Sequence, residues 1–173
     1  MQAKGGKVLT TPFLCSGGVG NGQQLAAALA MGADGVNLGT VLCATRESNW
    51  PESFKQRVVQ SDERSTVLMF RRLHNTARVF KNAVATEVQQ IEEEKGSNIQ
   101  FSDIMQLVSG KRGREAELKG DPDGGIWSAG QVVGLINDVP TVDALISLLV
   151  ADAENTIRQR LVSLLSDPIV AHL

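Results

Sequence analysis

The sequence predicts an α/β fold: the last two strands of a (β/α)8 TIM barrel, with additional helices around them. Three observations point there. Two short apolar segments are joined by one nine-residue helical stretch, which makes a right-handed βαβ unit and hence a parallel sheet. Each segment runs into a glycine-containing turn, and in a parallel pair both turns fall on one sheet edge, as do the phosphate-binding loops after the last two strands of such a barrel. The C-terminal third carries a sustained helical period that suits a helix of the barrel's outer ring.

The elements follow in order. Val8 to Cys15 is apolar but broken by Pro12, so the first strand is expected at Pro12 to Cys15, short and buried on both faces. Ser16-Gly17-Gly18-Val19-Gly20-Asn21-Gly22 is the turn. A helix is expected over Gln23 to Met31, with Leu25, Ala28 and Leu29 facing inward and Gly32 as its stop. Gly35 to Leu38 forms the second strand, ending at Gly39-Thr40, and Val41 to Thr45 reads as a short extra helix. Ser53 to Gln60 reads as helical, Thr66 to Phe70 as extended, and Asn75 to Lys95 as one long helix whose end, Glu92-Glu93-Glu94-Lys95, is a solvated face. Ile99 to Val108 is a further helix, with Ile104, Leu107 and Val108 inward and Gly110 ending it. Lys111 to Gly125, rich in charge, glycine and proline, is expected to be a mobile surface loop. Ala129 to Asn137 is a shorter helix. From Thr141, an N-cap preceded by Pro140, the stripe Val142, Leu145, Ile146, Leu149, Ala153, Ile157 and Leu161 marks a helix running to Leu164. The whole of 1–173 is thus one partial domain: 8–45 the strand–helix–strand phosphate site, 46–125 a helical insertion and loop, and 126–165 the C-terminal helices.

The chain has 173 residues, of which 42% are hydrophobic, enough to bury a core. Seventeen Lys and Arg against 19 Asp and Glu, with no long run of one sign, give no footprint for nucleic acid or an anionic membrane surface. No apolar stretch approaches the roughly 20 residues of a membrane span, and Met1 to Lys7 is polar, so the expected location is cytoplasmic. Cys15 and Cys43 sit in apolar segments and read as buried reduced thiols. No metal site is expected: Asp121 and Asp123 flank Pro122 without the ligand spacing of a calcium loop and read as a turn.

A phosphate group is well held by converging backbone N–H groups at turns and helix starts, where glycine lets the chain come close. Ser16-Gly17-Gly18 occupies such a position, and Gly39-Thr40 follows at the end of the next strand, 22 positions after Gly17 and Gly18 respectively. Gly18 and Gly39 would supply N–H donors, and Thr40 both its hydroxyl and its N–H. Equally, glycines at these positions permit tight turns with no ligand at all.

Ser16-Gly17-Gly18, Gly22, Ala26-Ala27-Ala28-Leu29, Gly32-Ala33-Asp34-Gly35-Val36 and Leu38-Gly39-Thr40 resemble the flavin-phosphate segment of the nitronate monooxygenase (2-nitropropane dioxygenase) family. Similar strings occur in other barrel flavoenzymes and in IMP dehydrogenases. More discriminating are Gly120-Asp121-Pro122 and Ala129-Gly130-Gln131-Val132-Val133-Gly134-Leu135-Ile136, which resemble that family's C-terminal Gly-Gln segment, and Arg78-Val79-Phe80-Lys81-Asn82, which resembles its Arg-and-Asn segment. The resemblance implies the C-terminal part of a barrel holding non-covalent FMN, and an enzyme that oxidises alkyl nitronates with dioxygen toward carbonyl and nitrite. By the same resemblance Ser16, Gly17, Gly18, Gly39 and Thr40 contact the phosphate and Gln131 lies near the flavin. A Gly-Gln pair at a helix start also satisfies loop backbone groups without any ligand.

Only two strands of eight are recognisable, so the chain reads as a fragment, inactive by itself, whose two strands would leave ladder groups and apolar faces exposed. The family's catalytic histidine belongs to the part not recognised. Neither His74, read as a surface or helix-start residue, nor His172, near the terminus, matches it, and no catalytic residue is assigned. Self-association into a homo-oligomer stays open. So do three alternatives: an FMN-dependent enoyl-acyl-carrier-protein reductase, an IMP dehydrogenase-like barrel that holds a nucleotide phosphate, and a helical interaction module built on Thr141 to Leu164.

Overall fold

The computed structural model describes residues 11–166. Val8 to Thr10, of the apolar segment that leads into the expected first strand, and His172 lie outside the described residues. The chain divides into two compact units, one formed by residues up to 38 together with those from 141 onward, the other by 39–140.

In the first unit, β1 (Leu14–Ser16), α1 (Gly22–Ala30) and β2 (Gly35–Asn37) make the expected βαβ turn of chain. The strands pair in parallel, Leu14 opposite Gly35 and Ser16 opposite Asn37. Burial on both faces does not hold: Leu14 is 62% exposed, because a parallel strand is covered only when further strands and helices flank it, and the described sheet has two. Asn21 caps α1, its side chain accepting the Gln24 N–H at 2.9 Å, while Gln24 Oε1 reaches back to the Gly20 N–H at 2.7 Å. The inward face also differs from expectation. Gly22, Ala26 and Ala28 are buried and Leu29 is exposed. The reason is close helix packing: α1 lies against α7 (Val142–Asn155), and a Cβ at Gly22 would stand 2.5 Å from the Ala153 backbone nitrogen. Thr141 caps α7 as its sequence suggests, its Oγ1 accepting the Ala144 N–H at 3.1 Å. Of the apolar stripe only Leu149 and Ala153 are buried, and the helix passes through a π-helical stretch at Thr156–Leu161 into α8 (Val162–Ser166).

The second unit opens with α2 (Thr40–Cys43) and α3 (Glu52–Val59), both as expected. β3 (Thr66–Met69) and β4 (Ala77–Phe80) then form an antiparallel hairpin, Thr66 opposite Phe80 and Met69 opposite Ala77. The single long helix expected from Asn75 is therefore wrong in its first half. Ala77-Arg78-Val79-Phe80 pairs with β3 and, through Val79, bridges Ser128 on its other side, and the helix α4 (Ala83–Lys95) begins only after Asn82, which caps it. A β-branched and an aromatic residue side by side favour the strand once a partner is available.

α5 (Phe101–Val108) matches its expectation, with Ile104 fully buried, but Gly110 does not end a helix. It starts one. Ser109 caps α6 (Gly110–Lys119), so the segment expected as a mobile loop is largely helical. Its remainder, 120–125, is tied down: Asn82 Nδ2 donates to the carbonyls of Pro122 and Gly125, Trp127 Nε1 donates to Pro122 O, and Arg112 Nε donates to Gly124 O. The short helix expected from Ala129 is a 3-10 turn, Gln131–Leu135. Two clusters hold the unit together. Met69, Val79, Ala85, Val88, Ile99 and Ile104 pack between the hairpin, α4 and α5. Phe80 stacks on Trp127 with ring centroids 4.3 Å apart, and Trp50 and Phe54 complete an aromatic group around it.

Candidate functional site

The first glycine turn follows β1. Gly17 and Gly18 both have positive φ, +81° and +76°, a backbone conformation that side chains with a Cβ resist, and nothing crowds the space where a Cβ would stand. Glycine is thus required here by the path of the chain and leaves the outer side open. The two are not equivalent as donors. The Gly17 N–H extends the β ladder by donating to Asn37 O at 3.1 Å. The Gly18 N–H has no partner among the described residues. Ser16 Oγ accepts from Asn37 Nδ2 at 3.1 Å, which fixes it beside β2 and leaves its hydroxyl hydrogen to donate.

The second turn lies in the other unit. Gly39 precedes the four-residue α2, and no side chain caps that helix start. Its Leu42 and Cys43 N–H groups bond back to Gly39 O, so the N–H groups of Thr40 and Val41 are the unfilled donors of the first turn. Thr40 Oγ1 accepts the Gly130 N–H at 3.0 Å, across 90 positions of sequence. That bond joins two segments singled out separately in the sequence, Gly39-Thr40 and Gly130-Gln131. The Thr40 hydroxyl hydrogen stays available, since its oxygen serves Gly130 as acceptor. Gln131 begins the 3-10 turn with an exposed side chain that makes no hydrogen bond among the described residues.

The other residues read from sequence have structural places. Asn82, in the Arg-and-Asn segment, is buried and uses all of its amide: Oδ1 accepts the Ala85 N–H at 2.9 Å, and Nδ2 serves the two carbonyls at 2.8 Å each. Arg78 donates to Thr66 Oγ1 across the hairpin at 3.0 Å. His74 is exposed in the β3–β4 turn, with φ +55°. Cys15 and Cys43 are free thiols, half-buried rather than fully buried, and burial pushes the Cys43 thiol above its ordinary pKa, away from nucleophilic use. Asp123 pairs with Arg57 at 2.7 Å, and no group of metal-ligating side chains occurs among the described residues. The solvated acidic face needs one correction. Glu93 and Glu94 are exposed, but Glu92 is 6% exposed and bonds to the Phe70 N–H. Its run of three acids hid it, and only the helical phase of α4 against the hairpin reveals it.

The nitronate monooxygenase family profile matches residues 2–152. The chain belongs to that family. A relative from Rhodococcus jostii, named (3aS,4S,5R,7aS)-5-hydroxy-7a-methyl-1-oxo-octahydro-1H-indene-4-carboxyl-CoA dehydrogenase, is 30% identical over 82% of the chain and 50% of its own length. Among solved structures, FabK from Thermotoga maritima superposes with a TM-score of 0.78 at 28% identity, covering 87% of the chain and 47% of FabK. Nitroalkane oxidase from Streptomyces ansochromogenes gives 0.64 at 29% identity, over 87% of the chain and 41% of that protein. The chain spans about half the length of the curated relatives it matches. Family membership and these neighbours give the chain an α/β fold. No helix among the described residues is long and apolar enough to cross a membrane.

Proposed function

We propose that this chain is the flavin-anchoring portion of an FMN-dependent oxidoreductase that oxidises alkyl nitronates with dioxygen. The observation that carries the proposal is the family match over 2–152, which takes in both glycine turns and the Gly130-Gln131 segment. Geometry within each unit supports it. Gly18, in one, and Thr40 and Val41, in the other, hold N–H donors without protein partners, and the Ser16 and Thr40 hydroxyls retain a hydrogen to give. Gly39 leaves the start of α2 uncrowded, and Gln131 presents a free amide. Within each unit, taken by itself, these donors suit an oxygen of a phosphate ester or another polar group of a ligand. Gly17 is proposed for the turn's shape alone. When bound, FMN would supply the electron acceptor and the site of reaction with dioxygen; the chain's own residues orient it and carry none of the chemistry. No catalytic residue is proposed between 11 and 166, and activity is assigned to a polypeptide that includes the remaining half of the relatives' length.

A second reading is favoured by the Rhodococcus relative, whose name places a coenzyme A thioester as its substrate. The deciding experiment adds FMN to the purified full-length protein and follows the flavin band at about 450 nm, then offers propyl-2-nitronate and an acyl-CoA in separate reactions. Oxygen uptake with nitrite release on nitronate supports the first reading. Turnover of the acyl-CoA alone overturns it in favour of the second, and the absence of any flavin binding overturns both.

A further inference from the structure

The second unit contains a cleft of about 660 Å³ that shares no residue with either glycine turn. Thr66, Val67 and Leu68 all line it. Alternate side chains of a strand point to opposite faces: Val67 packs toward the apolar cluster, while Thr66 takes Arg78 on the other face. Three consecutive residues share one cleft along their backbone edge, so the cleft runs beside β3 on the side away from β4. Which backbone groups face it follows from the ladder. The Lys81 N–H donates to Ser65 O at 2.9 Å, so Ser65, Val67 and Met69 bond toward β4, and Thr66 and Leu68 turn their N–H and C=O groups outward. That edge is only partly covered. Gln89 Nε2 reaches Leu68 O at 3.4 Å, and Glu92 Oε2 accepts the Phe70 N–H at 3.0 Å. The Leu68 N–H and both backbone groups of Thr66 have no partner among the described residues.

An open strand edge is a template for another strand, and stable monomers guard it with proline, lysine or a bulge. Thr66-Val67-Leu68-Met69 carries none of these. Charge decides what kind of strand fits. Arg71 and Arg72 line the cleft from the β3–β4 turn, their guanidinium groups without an ion pair or hydrogen bond among the described residues, and Arg78 is engaged only by the neutral Thr66 hydroxyl. With three arginines against Glu93 and Glu92, the latter already bonded to Phe70, the lining keeps an excess of one positive charge. In an antiparallel pair, the residue opposite Thr66 or Leu68 both bonds to it and places its side chain on the same face, the one that carries Arg78. Every second residue of an added strand stands on that face, where a carboxylate matches the guanidinium fork. Backbone bonds attach the strand and the arginines select it, as in other cases of strand addition.

We propose that the outer edge of β3 docks an extended acidic segment of a partner protein, which adds an antiparallel third strand to the hairpin. Its backbone accepts from the Thr66 and Leu68 N–H groups and donates to Thr66 O, and its alternate carboxylates lie toward Arg71, Arg72 and Arg78. The surface is independent of the flavin reading, because it uses none of the same residues.

The test titrates the full-length chain, at low ionic strength, with the synthetic peptide acetyl-EVEVE-amide, its lysine counterpart acetyl-KVKVK-amide, and the acidic peptide N-methylated at its glutamates. Calorimetry reads the affinity, and amide exchange reads the strand edge. The acidic peptide should bind with a Kd below about 1 mM and slow exchange at Thr66 and Leu68 by at least about tenfold. The lysine and N-methylated peptides should each bind at least about tenfold more weakly. The double variant Arg71→Ala/Arg72→Ala, on an exposed turn, should weaken the acidic peptide by about tenfold or more with unchanged melting. Leu68→Pro removes an N–H that β4 does not use, a change an edge strand tolerates, and should weaken the peptide by at least about as much while the Met69 and Val79 amides stay protected. No saturable binding of the acidic peptide up to about 1 mM overturns the proposal, as does binding that leaves the Thr66 and Leu68 amides unchanged or that the lysine peptide matches. Protection of those two amides that grows with chain concentration in the absence of peptide, together with a dimer in sedimentation, overturns the partner strand in favour of a second copy.

Discussion

Two side chains, Thr40 and Asn82, do at the residue scale what their segments only hinted at. The Thr40 hydroxyl joins the start of α2 to Gly130. Thr40→Val keeps the shape and removes the acceptor, so the partly buried Gly130 N–H loses its partner; denaturant titration should show a loss of about 1 kcal/mol, and Thr40→Ser should restore most of it. If Thr40→Val and Thr40→Ser were equally stable, the bond would have no structural weight. Asn82 is held more firmly, since one amide caps α4 and supports two carbonyls of the 120–125 segment. Asn82→Asp preserves the cap but sets a second carboxylate oxygen against the Pro122 and Gly125 carbonyls. It should therefore cost about 3 kcal/mol or more, exceeding a simple cap loss of about 1 kcal/mol. A milder effect than that of an exposed cap substitution would show that the two carbonyl bonds are dispensable.

Among the elements, α1 and α5 offer separate tests. Gly22→Ala adds a methyl group where α1 meets the Ala153 backbone and should destabilise the chain by about 1–3 kcal/mol, read as a lowered urea midpoint with an unchanged slope. At α5, Asp103 bonds to Lys95 Nζ and to the Gln100 N–H, and these two bonds, the lysine first, hold its carboxyl below the usual aspartate range. A carboxyl whose folded pKa is depressed stabilises fully above its unfolded pKa of about 3.9 and loses that contribution as pH falls through the lower folded value. The stability difference between wild type and Asp103→Asn should therefore shrink below about pH 4 and stay flat above about pH 5. Which elements were legible in the sequence follows from how local their causes are. The βαβ turn, α3, α5 and the Thr141 cap depend on neighbours a few residues away. β4 depends on β3 and Ser128, the exposure of Leu14 depends on which strands flank it, and α6 has a polar sequence whose helix is stabilised by its Ser109 cap and by packing of Ala116. The site divides in the same way. Glycines in turns are visible locally, whereas the Gly17 ladder bond and the burial of Glu92 are set by segments about 20 residues away.

For the whole molecule, the decisive fact is that the second unit is one continuous stretch, 39–140, while the first is assembled from two separated ones. The continuous unit has its own apolar cluster and its own aromatic group, and every partner of its hairpin, Ser128 included, lies within 39–140. The first unit instead pairs two three-residue strands and leaves Leu14, Met31 and Leu148 more than half exposed. Burial of apolar area drives cooperative folding, so the units should differ in protection. Amide exchange at Met69, Val79, Val88 and Ile104 should be slower than at Cys15 and Val36 by at least about a hundredfold, or nearly 3 kcal/mol of opening free energy. A polypeptide of residues 39–140 should then unfold in one sigmoidal step and keep those slow amides. Equal exchange in the two strand pairs, or a gradual melt of the 39–140 segment, would mean that the second unit draws its order from the rest of the chain and that the two units fold as one.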